Sequence, residues 1–145
     1  MRSRLLIFLF LSFSYLNAQS ILDNAIKNLE NSYTQEKVYL LLDKNEFIAG
    51  ENNWFKAFVF KNYQLTDIST TLFVELYDDK KNLIDKKRVL LMNGQGDSSF
   101  QLKEDLQENI YYIRAYTTYM TNFSEDYQYI KPIPVYNKNS TRKFV

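Results

Sequence analysis

Glu75 and Asp78 come closest to a reactive pair, three positions apart with Tyr77 between them. Two carboxylates can divide acid and base roles, as in glycoside hydrolysis, when a cleft holds them about 5 Å or about 6.5–9.5 Å apart. A sandwich of this size seldom builds such a cleft, so the pattern points away from catalysis. Beyond carboxylates only Lys, Tyr or Ser-Lys arrangements remain, since the 145 residues include no Cys and no His. That removes thiolate nucleophiles, imidazole bases, Ser-His-Asp triads, iron–sulfur clusters and histidine-ligated zinc or haem. No phosphate-cradling loop or nucleophile elbow occurs. Asp78, Asp79 and Asn82 carry oxygen ligands of the kind calcium takes. They lack the spacing and closing Glu of a helix–loop–helix site and read as a solvated hairpin turn. The sequence therefore predicts no enzyme, no metal and no cofactor.

Binding residues are easier to find than catalytic ones. Lys80, Lys81, Lys86, Lys87 and Arg88 form a basic stretch, interrupted by Asp85. With a net charge of only +1, the chain has no pull towards nucleic acid, and the stretch reads as a charged sheet face that discourages edge pairing. Two aromatic patterns stand out. Trp54, Lys56, Phe58 and Phe60 alternate with Phe55, Ala57 and Val59, so both faces of that strand are largely apolar. The strand is either covered on both sides or has a Trp54 face that meets a neighbour. Tyr112, Arg114 and Tyr116 alternate with Tyr111, Ile113 and Ala115, which sets Arg114 between two tyrosines in reach of cation–π stacking. Trp54, Lys56, Phe58, Tyr112, Arg114 and Tyr116 form the candidate interaction surface. Core filling by the aromatics and a paired surface charge at Arg114 are the plainer alternatives. A third is stacking of sugar rings on Trp54, or on Tyr112 and Tyr116, or a peptide groove along them.

The elements that must position these residues are strands. Aromatic residues make 17% of the chain, with 12 Tyr and 11 Phe, a composition that favours half-buried pleated surfaces. Period-two segments recur at 37–42, 53–60, 71–77, 83–92, 98–103, 110–119 and 127–136, separated by turn signals. Asn93-Gly94 is the strongest turn, because a tight hairpin needs positive φ. Leu72, Val74, Leu76, Phe55, Ala57, Val59, Ile113 and Ala115 are the expected core, with Phe100 and Leu102 also inward. Pro132 and Pro134 predict an edge position for the last strand, since neither can donate to a ladder. The expected fold is an all-β, immunoglobulin- or fibronectin-like antiparallel sandwich of about seven strands, preceded by one short helix.

Upstream, Arg2 and Arg4 precede an apolar run over 5–13, and Ala18 suits the position before a cut. This describes a signal peptide over 1–18, too short to span a bilayer, with export to the periplasm or the outer-membrane-associated envelope as the consequence. Cleavage there takes two arginines and no acid, turning the net charge from +1 to −1. Residues 19–35 form a leader in which Ile21, Leu22, Ala25, Ile26 and Leu29 recur at helical spacing. The sandwich occupies 36–136, and 137–145 is a polar tail or linker.

Three groups of residues together resemble a known family. Glu36-Lys37-Val38-Tyr39-Leu40-Leu41-Leu42-Asp43-Lys44, then Ala49-Gly50-Glu51, then Trp54-Phe55-Lys56-Ala57 is similar to the start of a bacterial macroglobulin-type domain. The second macroglobulin domain of the α2-macroglobulin family is the nearest match, continuing through Ile113-Arg114-Ala115-Tyr116-Thr117 and Tyr119-Met120-Thr121-Asn122-Phe123 to Lys131-Pro132-Ile133. The resemblance covers about residues 36–135 and implies a fibronectin-type sandwich. It also implies a non-enzymatic module at the N-terminus of a larger envelope protein, in some cases one with a TonB-dependent receptor plug. Partners would then be neighbouring domains or envelope proteins, with membrane association only through the parent protein. Four positions depart from the pattern: Asn45 replaces a Pro, Asn53 an inward Ile or Val, Lys103 a Pro, and Asn109 a Gly whose left-handed backbone Asn can also adopt. The family's thioester needs a Cys, and these 145 residues have none, so the resemblance does not extend to covalent protease capture by this chain.

Overall fold

The structure, a computed structural model, describes residues 21–28, 35–138 and 140. The signal peptide read at 1–18 and most of the polar tail lie outside the described residues. The chain divides into two units, residues 1–34 and residues 35–145. In the first, 21–28 are helical, with Ile21, Leu22 and Ile26 exposed.

The second unit is an all-β, immunoglobulin-like sandwich. Its strands are β1 (Glu36–Leu42), β2 (Phe47–Ile48), β3 (Asn52–Lys61), β4 (Gln64–Leu65), β5 (Thr71–Tyr77), β6 (Leu83–Leu90), β7 (Gln95–Gln101), β8 (Asn109–Thr117) and β9 (Tyr129–Tyr136). Sheet A sets β1 on one side of β3, with β4 and β7 on the other; sheet B has the order β2-β9-β8-β5-β6. All pairings are antiparallel except the short one between β2 and β9.

Alternation explains which side chains meet. Leu40, Phe55, Ala57, Val59 and Phe100 point inward from sheet A, and Leu72, Val74, Leu76, Ile113, Ala115 and Ile133 from sheet B. All are buried, and they form one contiguous core in which the Phe55 and Phe100 rings lie 5.7 Å apart. Each expected core residue is therefore where its strand period puts it.

The turns follow residue chemistry. Asn93 and Gly94 take φ of 51° and 71°, turning the chain from β6 in sheet B to β7 in sheet A. A Cβ on Gly94 would sit 2.7 Å from the carbonyl oxygens of Val59 and Thr66, so only glycine fits. Asp78 builds the β5–β6 hairpin: its carboxylate accepts from the backbone N–H of Lys80 and Asn82 and from Asn82 Nδ2.

Three sequence expectations are refined. Pro132 and Pro134 pair with Tyr112 and Ile110 on β8, but β9 is not the outermost strand. Two residues of β2 cover its end at Val135 and Tyr136, just beyond the prolines, so the unpaired stretch is the one that lacks donors. Asn109 does not adopt a left-handed backbone; it opens β8 opposite Val135, and its Oδ1 accepts from Ile110 N. Residues 61–70, which lie between two period-two segments and show no strand pattern of their own, contain the short β4.

Two polar residues sit in the interior. Asn53 is 0% exposed on the inner side of β3, and neither its Oδ1 nor its Nδ2 has a hydrogen-bond partner. Its place is the inward position expected for Ile or Val. Glu36, also fully buried, accepts from Ser69 N at 3.2 Å, Ser69 Oγ at 2.6 Å and Thr117 Oγ1 at 2.5 Å. Thr117 ends β8, so this carboxyl ties the first strand of sheet A to the centre of sheet B.

Candidate functional site

The six candidate residues fall on two outer faces that point away from each other. Trp54, Lys56 and Phe58 project from β3 on sheet A; Tyr112, Arg114 and Tyr116 project from β8 on sheet B.

On sheet A the register places Tyr39 of β1 beside Phe58, Leu41 beside Lys56, and Lys37 beside Phe60. The Tyr39 and Phe58 rings are 6.4 Å apart, and Phe58 stacks on Phe60 at 6.4 Å. Lys56 Nζ lies 5.5 Å from the Phe58 ring centre. Trp54, at the end of this strip, is 53% exposed, and Tyr39 and Leu41 are half exposed as well. Asp43 fixes the strip's end, accepting from Trp54 N while its own N–H donates to Trp54 O. The indole N–H has no hydrogen-bond partner among the described residues. β1 pairs only with β3 among the described strands, so the strip runs out to a sheet edge. Trp54 and Phe58 were legible in the sequence. Tyr39 and Leu41 were missed, although Lys37, Tyr39 and Leu41 share one period-two face.

On sheet B the centre of the face is Glu75, which opposes Lys86 on β6 and Arg114 on β8. Its Oε1 accepts from Lys86 Nζ at 2.8 Å and from Tyr116 OH at 2.8 Å, and its Oε2 from Tyr77 OH at 2.8 Å. Burial works against ionisation of Glu75, yet the donors Lys86, Tyr77 and Tyr116 outweigh it and hold the carboxyl below the usual glutamate range. The Glu75 hydrogen bond pushes the Lys86 ammonium up. Burial, aided by Glu75, pushes the Tyr77 phenol up. Lys86 also lies 4.8 Å above the Phe73 ring, which stacks on Tyr116 at 5.5 Å. Arg114 stacks over Tyr116 at 5.0 Å, the cation–π contact its spacing suggested. Its Nε donates to Gln128 Oε1 at 2.5 Å, and its Nη2 pairs with Glu125 at 3.3 Å.

Glu75 was first read as one half of a carboxylate pair. The structure commits all its contacts to a cation and two phenols, and Asp78 is committed to its own turn. Among the described residues no cluster of three or more acidic side chains could hold a metal. Beside this network lies a recess of about 400 Å³ walled by Tyr77, Tyr112 and Ile130 and rimmed by Asp79, Lys81, Arg114 and Glu125. Tyr77 and Tyr112 are direct cross-strand partners, and a β-bulge between Leu76 and Tyr77 sets the angle of the Tyr77 wall.

Comparison with known proteins gives the fold a context. Solved structures of bacterial α2-macroglobulins contain a domain like this one. Trypsin-activated α2-macroglobulin from Escherichia coli superposes with a TM-score of 0.59 and 10% identity over 70% of this chain and 7% of its own. Salmonella α2-macroglobulin reacted with methylamine gives 0.59 and 12% identity over 72% and 6%. The native E. coli protein gives 0.58 and 10% identity over 70% and 6%. This chain thus spans less than a tenth of the length of those proteins. No protein-family model matches the sequence, and no curated protein does. The likeness establishes a macroglobulin-like sandwich fold.

Proposed function

We propose that this protein is an exported, non-enzymatic interaction module, a macroglobulin-type domain that serves as the N-terminal part of a larger envelope protein. Its outer sheet A face docks against a neighbouring domain or envelope protein. The observation that carries this reading is the strip along a sheet edge in which Tyr39, Leu41 and Trp54 are half exposed beside the partly buried Phe58. Large apolar patches on soluble domains mark interaction surfaces, and aromatic side chains dominate binding energy at such surfaces. On sheet B the Glu75 carboxylate is committed to Lys86, Tyr77 and Tyr116, and the Asp78 carboxylate to its own turn. The resemblance of residues 36–135 to the second macroglobulin domain and the signal-peptide pattern at 1–18 supply the envelope context.

A photo-reactive phenylalanine analogue placed at position 54 in growing cells tests both halves. The expected result is an adduct with an envelope protein or with a further domain of the same chain, absent when the analogue stands at 112. N-terminal sequencing of the envelope fraction should begin near Gln19. An intact Met1 in the soluble cytoplasm, or equal cross-linking from both positions, overturns the proposal.

A further inference from the structure

We infer that the recess between Tyr77 and Tyr112 on sheet B binds the ring of a neutral saccharide. This site is separate from the sheet A strip and stands or falls independently of it.

The volume of about 400 Å³ falls in the range of small-molecule sites and fits one or two sugar rings. Its walls are held in place. Tyr77 is pinned by its bond to Glu75 and oriented by the bulge beside it. The hairpin above is locked by three hydrogen bonds to Asp78. Arg114 is fixed by Gln128, Glu125 and the Tyr116 ring. A preorganised wall loses little freedom when a ligand arrives, which is where small sites gain affinity.

The polar groups decide the ligand's chemistry. Asp78 is spent on its turn and Glu125 on Arg114, which leaves Asp79 and Lys81. Both are exposed, and although the Lys81 backbone N–H donates to Asp78 O, neither side chain makes a hydrogen bond or ion pair among the described residues. One is an acceptor and the other a donor, so the matching ligand must donate and accept side by side, as a hydroxyl does. An anion would meet Asp79 and Glu125, and a cationic side chain would meet Lys81 and Arg114. A purely apolar ligand would strip water from Asp79 and Lys81 without replacing it. A pyranose satisfies all three conditions. Its equatorial hydroxyls reach the rim, and its axial C–H bonds present a weakly positive face to the electron-rich face of Tyr112.

The test is a titration of the full-length protein with maltose, cellobiose and N,N′-diacetylchitobiose, followed through the tyrosine ring resonances. N-acetylarginine amide and galacturonic acid serve as the cationic and anionic probes. At least one neutral disaccharide should shift Tyr77 and Tyr112 saturably in the millimolar range. Tyr112→Ala should weaken that binding about tenfold, the loss of one ring face. Trp54→Ala should leave it unchanged. Asp79→Asn touches no folding contact, so it carries the test if Tyr112→Ala fails to fold; it too should weaken binding severalfold. The inference is overturned if none of the three sugars shifts the two tyrosines. A stronger response to either charged probe, or a loss of sugar binding in Trp54→Ala, overturns it as well.

Discussion

The two outer faces are made of nearly the same materials. Each carries aromatic rings on neighbouring strands with a cation above one of them: Lys56 over Phe58 on sheet A, Lys86 over Phe73 on sheet B. They differ in one buried carboxylate: Glu75 on sheet B is 4% exposed, whereas Asp97, the cross-strand partner of Lys56 on sheet A, is exposed. On sheet B, Glu75 sits at the centre of the face, and its bonds draw Lys86, Tyr77 and Tyr116 inward, so the rings become part of the structure. On sheet A the corresponding middle position is Lys56, with no buried acid beneath it, and Trp54 and Tyr39 stay half exposed. An aromatic face with an internal acceptor stabilises its own fold. The same face without one leaves Trp54 and Tyr39 open to solvent.

The comparison can be broken at the core that both faces share. Phe55→Ala should cost about 3–5 kcal/mol and loosen both sheets together. A denaturant melt that loses less than about 1 kcal/mol would mean that β3 does not hold the two faces as one unit.

A sharper version removes the carboxylate alone. Glu75→Gln should destabilise the domain by about 1–3 kcal/mol, since charge-assisted bonds are lost from a buried acceptor. The pH dependence adds a signature. Because the folded state holds Glu75 below its usual range, its contribution is present above the unfolded value of about 4.3 and lost as pH falls through the folded one. Acid melts of the parent should therefore show a limb that the Gln variant lacks. Identical acid limbs in the two proteins would refute the network.

Behind the sheet A strip, Asn53→Val should raise stability by about 1–3 kcal/mol, because it removes two unpaired buried polar atoms. A lower melting temperature would show that Asn53 has a partner in solution. The smallest effect is expected at the strip itself. Trp54→Ser should alter stability by no more than about 0.5 kcal/mol while reducing self-association or partner binding. Trp54 is the only tryptophan, so its emission reports on this face alone. A variant that melts far earlier would make the strip structural, like its counterpart on sheet B.

How far the sequence could be read follows from the range of the interaction involved. Alternation along a strand is local, and it placed Phe55, Ala57, Val74 and Ile113 correctly and oriented Trp54 and Arg114. The Asn-Gly turn was local too. Resemblance to a family pattern located Asn53 as a polar residue in an inward position. What stayed hidden was the pairing between strands. Nothing in the segment 71–77 says that Glu75 will face Lys86 on one side and Arg114 on the other, since register is set by the whole sheet. Glu36 was missed for the same reason. A charged residue at the head of a strand looks solvated until Thr117, 81 positions away, is brought beside it. The recess combines a hairpin, a bulge and two strands, and no single segment displays it.

The Glu36–Thr117 contact has a mechanical consequence. It sets the entry of the sandwich chain beside the last residue of β8, while the exit, at Val135 of β9, lies opposite Asn109, the first residue of β8. Entry and exit are therefore separated by the length of β8, about 30 Å for nine residues at roughly 3.3 Å each. Tension between the two ends would run lengthwise along β1 and β9. Their ladder bonds to β3 and β8 stand across that direction, so they would be sheared together rather than unzipped one at a time. A domain strung this way would act as a stiff spacer, keeping its form while the segments on either side of it are pulled.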